Sequence, residues 1–391
     1  MTKSNTYKAG KHFLQVPGPT NLPDRILRAM DRPTIDHRGP QFAELSKSIL
    51  ERIKLIFKST DPVVIYPSAG TGAMEASLVN TLSEGDKILM FETGEFARQW
   101  YEAAKRFKIN VDFVPGDWRT GADPEITKQK LLADKKHEIK AVLVTHNETS
   151  TGIKSRVEEI RKAIDEANHP ALFMVDTISS LGSYNYEHQK WKVDVTVGGS
   201  QKGLMLPPGL SFNVISNKAL EAYKKSKLPR SYFDWGQMLT NNKNGFYPYT
   251  PATNLLFGLN EAINMLLEEG LENVFARHKR HAEATRLAVE AWGLEILAKN
   301  PIERSDSITA ILVPEGYDSD NLRKIIYDNY DMSLGTGLNK VKGKVFRIGH
   351  MGDFNDLMLS GTLAGVEMGL KQSGIPFKPG GIMAALDFLS K

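Results

Sequence analysis

Short apolar runs alternate with amphipathic stretches over the first half of this chain, and this alternation is the feature that most limits its fold. Strands that alternate with helices form mainly parallel sheets with helices packed on their faces. The sequence therefore predicts an α/β fold built on a large, doubly wound, mostly parallel sheet. Seven apolar runs lie at 63–66, 87–91, 111–114, 141–145, 171–175, 193–197 and 210–215, and helical patterns lie at 72–82, 98–107, 126–132 and 156–167.

The pattern changes near Pro251, where a long helical region at 252–292 begins. A smaller α+β pattern follows, with apolar runs at 294–297, 308–313 and 345–348 and helical patterns at 319–329 and 356–369. A chain of 391 residues is long enough for two domains. We expect an N-terminal arm at 1–22, a large domain at 23–275 and a small C-terminal α+β domain at 276–391.

Composition excludes several classes of protein and of site. The chain has no cysteine, which excludes disulfides, thiolate nucleophiles and cysteine-ligated metals, and we predict no metal ion. The net charge of +4 is spread along the chain, so no nucleic-acid or membrane-surface partner is expected. No apolar stretch approaches the ~18 residues of a membrane span, and no secretory signal is recognisable. We therefore expect a cytoplasmic protein.

Polar and glycine-rich segments follow several of the apolar runs. They read SAGTG, HNETSTG, DTISS and GGSQKG, and each begins just where a predicted strand ends. Doubly wound sheets bind their ligands at the carboxyl ends of their strands, in loops of this kind. The sequence therefore predicts a ligand site at this edge of the sheet.

The segment SAGTGAMEA at 68–76 joins a predicted strand to a predicted helix. Free N–H groups at Thr71, Gly72 and Ala73, in the first turn of that helix, would attract an anion such as a phosphate. The Lys-Ser/Thr pair of nucleotide triphosphate sites is absent. A plain strand-to-helix turn remains an alternative interpretation of this segment.

Asp176 and Lys202 each follow a different apolar run. Asp176 is either a capping or solvated loop residue or a buried charge that needs a cationic partner. Most lysines are solvated, but Lys202 lies among glycines and apolar residues, and a buried lysine becomes a nucleophile for carbonyl groups. Pyridoxal 5'-phosphate (PLP) has three functional groups that such a site would match. Its phosphate would fit the cradle, its pyridine nitrogen the carboxylate and its aldehyde the nucleophilic amine.

Ten segments of the chain resemble the class V, fold-type I aminotransferases, in particular the serine/alanine–glyoxylate branch and the related aspartate–glyoxylate aminotransferases. They run in the family's order between residues 17 and 352: PGPTNLP, DHRGPQF, SAGTGAMEA, THNETSTG, VDTISSLG, GSQKGLMLPPGL, KLPRSYFD, YPYTP, GTGL and GKVFRIGHMG. The resemblance implies a fold-type I PLP enzyme with a large cofactor-binding domain and a smaller C-terminal domain.

The resemblance also implies how the cofactor ring is held. Lys202 would bind PLP as a Schiff base and act as the catalytic residue, while Asp176 would keep the pyridine nitrogen protonated. Phe96 would stack on the ring, Ile178 would pack against its opposite face, and the Thr149 hydroxyl would lie near the 3-oxygen of the cofactor.

Further residues would hold the phosphate and the substrate. Thr71, Gly72, Ala73 and the Gln201 side chain would bind the phosphate, and Tyr247 and Thr250 of a neighbouring subunit would complete its cradle. The protein would then be a homodimer with shared active sites. Arg347 would bind the α-carboxylate of the substrate as a bidentate pair.

The implied reaction moves the amino group of a small L-amino acid to glyoxylate by a ping-pong mechanism and yields glycine and a 2-oxo acid. Serine, alanine and aspartate are candidate donors. Aspartate would need a second group for its side-chain carboxylate, for which His37, Arg38 and Arg230 are candidates or else structural residues. A cysteine desulfurase is excluded because the chain has no cysteine. A kynureninase-like hydrolase and a non-catalytic α/β binding protein remain alternatives.

Overall fold

A computed structural model describes residues 9–391, so residues 1–8 of the expected arm lie outside the described residues. The strands are β1 (Phe13–Gln15), β2 (Val63–Tyr66), β3 (Lys87–Phe91), β4 (Asn110–Val114), β5 (Ile139–Thr145), β6 (Asn147–Glu148), β7 (Ile153–Lys154), β8 (Leu172–Asp176), β9 (Val195–Gly199), β10 (Ser211–Ile215), β11 (Glu295–Ile296), β12 (Ile308–Leu312), β13 (Met332–Thr336) and β14 (Val345–Gly349).

The helices are α1 (Asp24–Met30), α2 (Pro40–Phe57), α3 (Gly70–Val79), α4 (Glu95–Arg106), α5 (Pro124–Ala133), α6 (Val157–Glu166), α7 (Asn217–Tyr223), α8 (Trp235–Asn242), α9 (Thr253–Glu269), α10 (Leu271–Ala291), α11 (Ser319–Tyr330), α12 (Asp356–Ser373) and α13 (Gly381–Leu389). Short 3₁₀ helices lie at Pro301–Glu303 and Asn339–Val341.

The larger sheet contains all seven strands that the apolar runs predict. Its order is β2-β10-β9-β8-β5-β3-β4, and every neighbouring pair is parallel except the two made by β10. Strands β2, β8, β9 and β10 are buried along their whole length, which explains why they read as continuous apolar runs rather than as alternating patterns. The predicted doubly wound α/β fold is confirmed.

A second, five-stranded sheet has the order β1-β13-β14-β12-β11. Strand β1 pairs in parallel with β13, so the part of the expected arm that is described belongs to the sheet built mainly from the C-terminal third. The other neighbours in this sheet are antiparallel. The described part of the chain therefore has its first strand in the small sheet, crosses to the large sheet and returns.

Two main hydrophobic cores accompany the two sheets, and helix α10 contributes to both. Val274 near its start packs in the core of the large sheet, whereas Ala284, Ala288 and Val289 pack in that of the small one. We propose the division at 275/276 between the large and the small domain because the change of core occurs along this helix. Among residues 9–391, none of the helices combines the length and apolar character needed to span a bilayer.

Candidate active site

The loops that follow β2, β3, β5, β8 and β9 meet at one edge of the large sheet, because these strands are parallel to one another. Residue pairing brings Thr145 beside Asp176 at this edge, and Asp176 beside Val197 of the next strand. Lys202 follows that strand by three residues. The polar loops predicted to bear the ligand site are therefore neighbours in the fold.

The side chain of Lys202 is buried, with 6% of its surface exposed. Burial, reinforced by the positive charge of Arg347, lowers the pKa of its amine to about 7, although the carboxylates of Asp176 and Glu148 act in the opposite direction. The amine donates a hydrogen bond to the backbone carbonyl of Pro17. A substantial fraction of this amine is therefore neutral, and nucleophilic, near pH 7.

The segment Pro17–Gly18 lies directly against Lys202. A Cβ atom at Gly18 would come within 2.3 Å of Lys202 Cδ, and its φ of +94° lies in the left-handed region that glycine tolerates. The same segment packs tightly against the small sheet. A Cβ at Gly335 would lie 2.6 Å from Pro17, and one at Gly349 would lie 2.3 Å from the Val16 carbonyl oxygen. The segment thus covers the lysine on the side of the small sheet.

The carboxyl group of Asp176 is buried at the end of β8. One of its oxygens accepts the Ile178 N–H at 2.8 Å, and no hydrogen bond from residues 9–391 reaches the other oxygen. Burial raises the pKa of Asp176 to about 7, against the opposing effects of the Ile178 N–H and of Lys202. A buried acid in this state would gain stability from a cationic N–H partner.

Arg347 on β14 links the small sheet to the turn that follows β6. Its Nε donates to the Thr336 carbonyl at 2.8 Å and its Nη1 donates to the Thr149 carbonyl at 2.6 Å. Burial lowers the pKa of Arg347 to about 10, so it remains a cation near neutral pH. Because a guanidinium has five N–H donors, both terminal nitrogens keep a hydrogen for an end-on carboxylate. These two hydrogen bonds fix the orientation of the guanidinium and still leave N–H donors on both terminal nitrogens.

The predicted phosphate cradle lies at the first turn of α3. The helix begins at Gly70, two residues earlier than the sequence predicts, and Gly72 N–H donates to the Ala69 carbonyl at 2.8 Å. Thr71 is exposed, Gly72 is half-buried and Ala73 is fully buried. A cavity of about 550 Å³ opens here and is lined in part by Thr71, Gly72 and Arg98. The first turn of α3 is therefore open to an anion at Thr71.

Gln201, Ile178 and two glycines form a tight wall close to this turn. A Cβ at Gly199 would lie 3.1 Å from Gln201 Oε1, and one at Gly70 would lie 2.4 Å from Ile178. Gln201 Oε1 is buried and has no hydrogen-bond partner among the described residues. Such an orphaned acceptor is costly unless a ligand or water supplies a donor, which marks the position as polar and incomplete.

Phe96 lies in the first turn of α4, where its main-chain N–H donates to Glu148 Oε1 at 3.2 Å. Its ring is partly exposed and is absent from the large core. The hydroxyl of Thr149 donates to Ser179 Oγ at 2.8 Å. Both residues thus stand at the same edge as Lys202, because β3 and β5 are neighbours in the sheet.

Tyr247 and Thr250 lie between α8 and α9. Tyr247 is buried against α2, with its ring edge-to-face on Phe42 at 6.0 Å, and Thr250 is exposed. None of the contacts described for residues 9–391 brings either residue to Thr71 of the same chain. A role for them at a phosphate requires a second subunit and stays a prediction.

The candidates for a second substrate-binding group differ in their surroundings. Arg230 donates to Asp234 Oδ2, the Val79 carbonyl, Ser226 Oγ and the Tyr223 carbonyl, so its guanidinium stabilises the local fold. Arg38 is exposed. His37 has a buried Nε2 atom without a partner among the described residues. These contacts favour a structural role for Arg230 and leave the other two as candidates.

Sequence reasoning missed Glu148, which is fully buried beside Thr149. Its carboxylate accepts hydrogen bonds from the N–H groups of Phe96 and Ala97 in α4, and from the N–H and the hydroxyl of Ser150. The segment HNETSTG contains this residue, but the partners in α4 lie about 50 residues away in the sequence. The only available signal was a charged residue three positions after the end of a largely buried strand.

Comparisons with known proteins identify the class to which this fold and site belong. The model of the family described as "Aminotransferase class-V" matches residues 12–345, and the chain belongs to this family. It is 49% identical to a serine–glyoxylate aminotransferase of Methylorubrum extorquens, over 98% of this chain and 97% of that protein. It is 46% identical to an L-aspartate–glyoxylate aminotransferase of Paracoccus denitrificans, over 95% of this chain and 94% of that protein.

A solved structure of a ureidoglycine–glyoxylate aminotransferase from Bacillus subtilis superimposes with a TM-score of 0.90. The two sequences are 26% identical, and the match covers 99% of this chain and 100% of the other. The fold is therefore the fold-type I architecture of this family, as the sequence resemblance implies.

The residues present fit PLP, the cofactor that the family implies. Lys202 offers a buried amine of depressed pKa, and Asp176 offers a buried carboxyl group with one oxygen free of described donors. The Gln201 amide offers N–H donors close to the first turn of α3, and Thr71 in that turn is exposed. The amine can react with the aldehyde of PLP, the acid can pair with its pyridine nitrogen, and the anion site can hold its phosphate.

Proposed function

We propose that this protein is a PLP-dependent aminotransferase that moves the amino group of a small L-amino acid to glyoxylate, giving glycine and a 2-oxo acid. The observation that carries the proposal is the buried Lys202 amine, whose pKa is lowered by burial and by the charge of Arg347 and raised by that of Asp176. The similarity to aminotransferases that act on glyoxylate, at 46–49% identity over most of both chains, supports the choice of acceptor.

The chain's own residues divide the work of such a reaction. Lys202 would anchor the cofactor and then, once released, carry a proton from the substrate α-carbon with its Nζ atom. Arg347 would hold the α-carboxylate through its free terminal N–H groups, which orients the α-hydrogen towards Lys202. Asp176 would accept a hydrogen bond from the pyridine N–H. PLP, when bound, supplies an electron sink for the negative charge that develops at the α-carbon.

Other residues would fix the cofactor in place. Phe96 and Ile178 would hold the two faces of its ring, and the Thr149 hydroxyl would lie near its 3-oxygen. The phosphate would be held by Thr71, Gly72, Ala73 and Gln201, with Tyr247 and Thr250 of the partner subunit. Of the α3 residues, Thr71 is best placed, because its first-turn N–H has no acceptor within the helix.

A panel of amino donors tests the function. Purified protein loaded with PLP is mixed with glyoxylate and serine, alanine or aspartate, and glycine and the 2-oxo acid are measured together. We expect one donor at least to give equal amounts of both products, and Lys202→Ala to give neither. Pyridoxamine phosphate trapped after one half-reaction would separate transfer from hydrolysis. Activity with pyruvate or 2-oxoglutarate but with no donor on glyoxylate would refute the acceptor.

The homodimer with shared sites can be tested by mixing two inactive variants. Lys202→Ala lacks the amine, and a Tyr247→Phe, Thr250→Ala double variant lacks the two hydroxyls that we propose for the partner's phosphate. A mixed dimer then contains one site with every group intact. Recovery of activity on mixing and exchange of subunits supports the proposal, and no recovery in a verified mixed dimer refutes it.

A further inference from the structure

Glu148 holds the first turn of α4 in place. Its Oε1 accepts the Phe96 N–H at 3.2 Å and its Oε2 accepts the Ala97 N–H at 3.0 Å. A negative charge at a helix N-terminus is stabilised by the free N–H groups and by the helix dipole. A Cβ at Gly94 would lie 2.3 Å from Glu148 Cγ, so only glycine lets the chain pass this closely. The position of Phe96 therefore depends on this one carboxylate.

The same carboxylate holds the turn that follows β5. Glu148 Oε1 also accepts the Ser150 N–H at 3.1 Å and the Ser150 hydroxyl at 2.7 Å. Thr149 lies between the two residues, and its carbonyl is the acceptor that fixes Arg347 Nη1. Ser150 Oγ in turn accepts the Glu95 N–H at 2.9 Å, which closes the link back to α4. One buried carboxylate thus helps to fix the positions of both Phe96 and Arg347.

Glu148 also contributes charge to a site that contains two buried basic groups. Its negative charge favours the protonated form of Lys202 and the cationic form of Arg347, and it acts against ionisation of Asp176. Burial raises the pKa of Glu148 itself, while its four hydrogen-bond donors favour the carboxylate. Its described hydrogen-bond partners include no cation, so its charge is available to Lys202 and Arg347.

We propose that Glu148 is a positioning residue of the active site, which ties the first turn of α4 and Phe96 to the turn that carries Thr149 and orients Arg347. This inference rests on the proposed function and deepens it, because it assigns a role to a residue that touches neither the cofactor nor the substrate. The role has two separable parts, namely the reach of the side chain and its charge.

Two substitutions separate these parts in PLP-loaded protein. Glu148→Gln keeps the length of the side chain but loses its charge and, because an amide has one acceptor oxygen, also one of its hydrogen bonds from α4. The loss of charge should lower the pH midpoint of the visible absorbance of the bound cofactor by about 0.5–1 unit. Glu148→Asp keeps the charge but shortens the side chain by one methylene. It should leave that midpoint near the parent value and weaken the visible circular dichroism of the bound cofactor, which reports the ring's orientation.

Both variants should lower kcat/KM for amino transfer by about 10- to 100-fold, because a misplacement of about 1 Å has effects of this size. Gly94→Ala offers an independent route, since its Cβ would displace the unchanged Glu148 side chain. It should reproduce the loss of circular dichroism. If Glu148→Gln does not fold, Gly94→Ala and the milder Ser150→Ala decide the question with the same measurements.

Glu303→Gln is the matched control. Glu303 is also a buried glutamate that accepts a main-chain N–H, that of Gly121 at 3.1 Å, but it lies on a 3₁₀ helix of the small domain. It should leave the cofactor spectra and kcat/KM unchanged. Folded Glu148→Gln and Gly94→Ala proteins with parental spectra and kcat/KM within twofold would overturn the inference. A parent protein that binds no PLP, or transfers no amino group, would instead refute the proposed function.

Discussion

The carboxyl group of Asp176 is a buried acid with an incomplete set of partners. We expect Asp176→Asn to weaken PLP binding by roughly 10- to 100-fold, because hydrogen bonds to charged groups contribute about 1.5–3 kcal/mol. Titration of PLP into the apo variant, followed by fluorescence, measures the change. Asp194→Asn is the control, since Asp194 is a buried aspartate that accepts the Phe173 N–H away from the site. Equal PLP affinity in Asp176→Asn and the parent would contradict this role.

The amine of Lys202 should react with PLP at a pH where ordinary lysines do not. Only the neutral amine attacks an aldehyde, and burial lowers the pKa of Lys202 to about 7. The rate of borohydride-trappable PLP attachment to the apo protein should therefore rise with pH and reach half its maximum near pH 7. Peptide mass mapping should place the reduced adduct on Lys202. A midpoint near pH 10 would show that the amine is solvated.

The strand β1 and the segment that follows it form an element of the site. The His12 side chain bonds to Asp331 and Ser333, and β1 pairs with β13, so the path of Pro17–Gly18 over Lys202 is set by the small sheet. Gly18 is the point of closest approach, because its missing side chain leaves room for the lysine.

Gly18→Ala should lower kcat/KM by about 100-fold or more, since the new methyl group would displace the Lys202 side chain. Gly10→Ala is an unusually close control. Gly10 has the same φ of +94°, but an added Cβ there meets no atom within 4 Å. Both variants place a side chain at the same φ, and only the one at Gly18 would meet Lys202, so a larger loss of activity in Gly18→Ala supports the contact with Lys202. Equal activity of the two variants would contradict the assigned contact.

The elements of the large sheet were predictable because burial on both faces leaves continuous apolar runs. Strand β13 was missed, since MSLGT contains small and polar residues, and its structure depends on pairing with β1 and β14. Helix α3 begins at Gly70 without a side-chain cap, so no local signal marked its start. At the site, Lys202, Asp176 and Arg347 stood out by sequence context or family resemblance. Glu148 did not, because its role depends on contacts with a distant helix.

At the scale of the whole molecule, buried histidines make stability depend on pH. Burial lowers the pKa of His146 and of His278 to about 3, and lowers the pKa of His350 well below its usual value. At pH values between the lowered pKa of each folded-state histidine and the ~6.5 of an unfolded histidine, the unfolded chain binds more protons than the folded one. Each of these residues therefore reduces stability as pH falls, by up to about 1.4 kcal/mol per unit.

Asp176 and Glu148 act in the opposite direction in the apo protein, because burial raises the pKa of each and the folded state then binds the extra proton. The urea midpoint of unfolding should still fall from pH 7.5 to 5.5, because burial also lowers the pKa of His169 and of His281, so that five histidines oppose two acids. The fall should be larger with PLP bound, which would keep Asp176 ionised. A midpoint that rises on acidification would contradict this balance.

The pairing of β1 with β13 also bears on how the chain is made. His12 and Asp331, which bond to each other, are 319 residues apart. At a synthesis rate of about 5–20 residues per second, the first strand emerges from the ribosome roughly 15–60 seconds before its partner exists. The large sheet can form in that interval, but the carbonyl that receives the Lys202 amine cannot be fixed in place until the C-terminal third has emerged. A site in which Pro17 and Lys202 are held together therefore forms only late in synthesis.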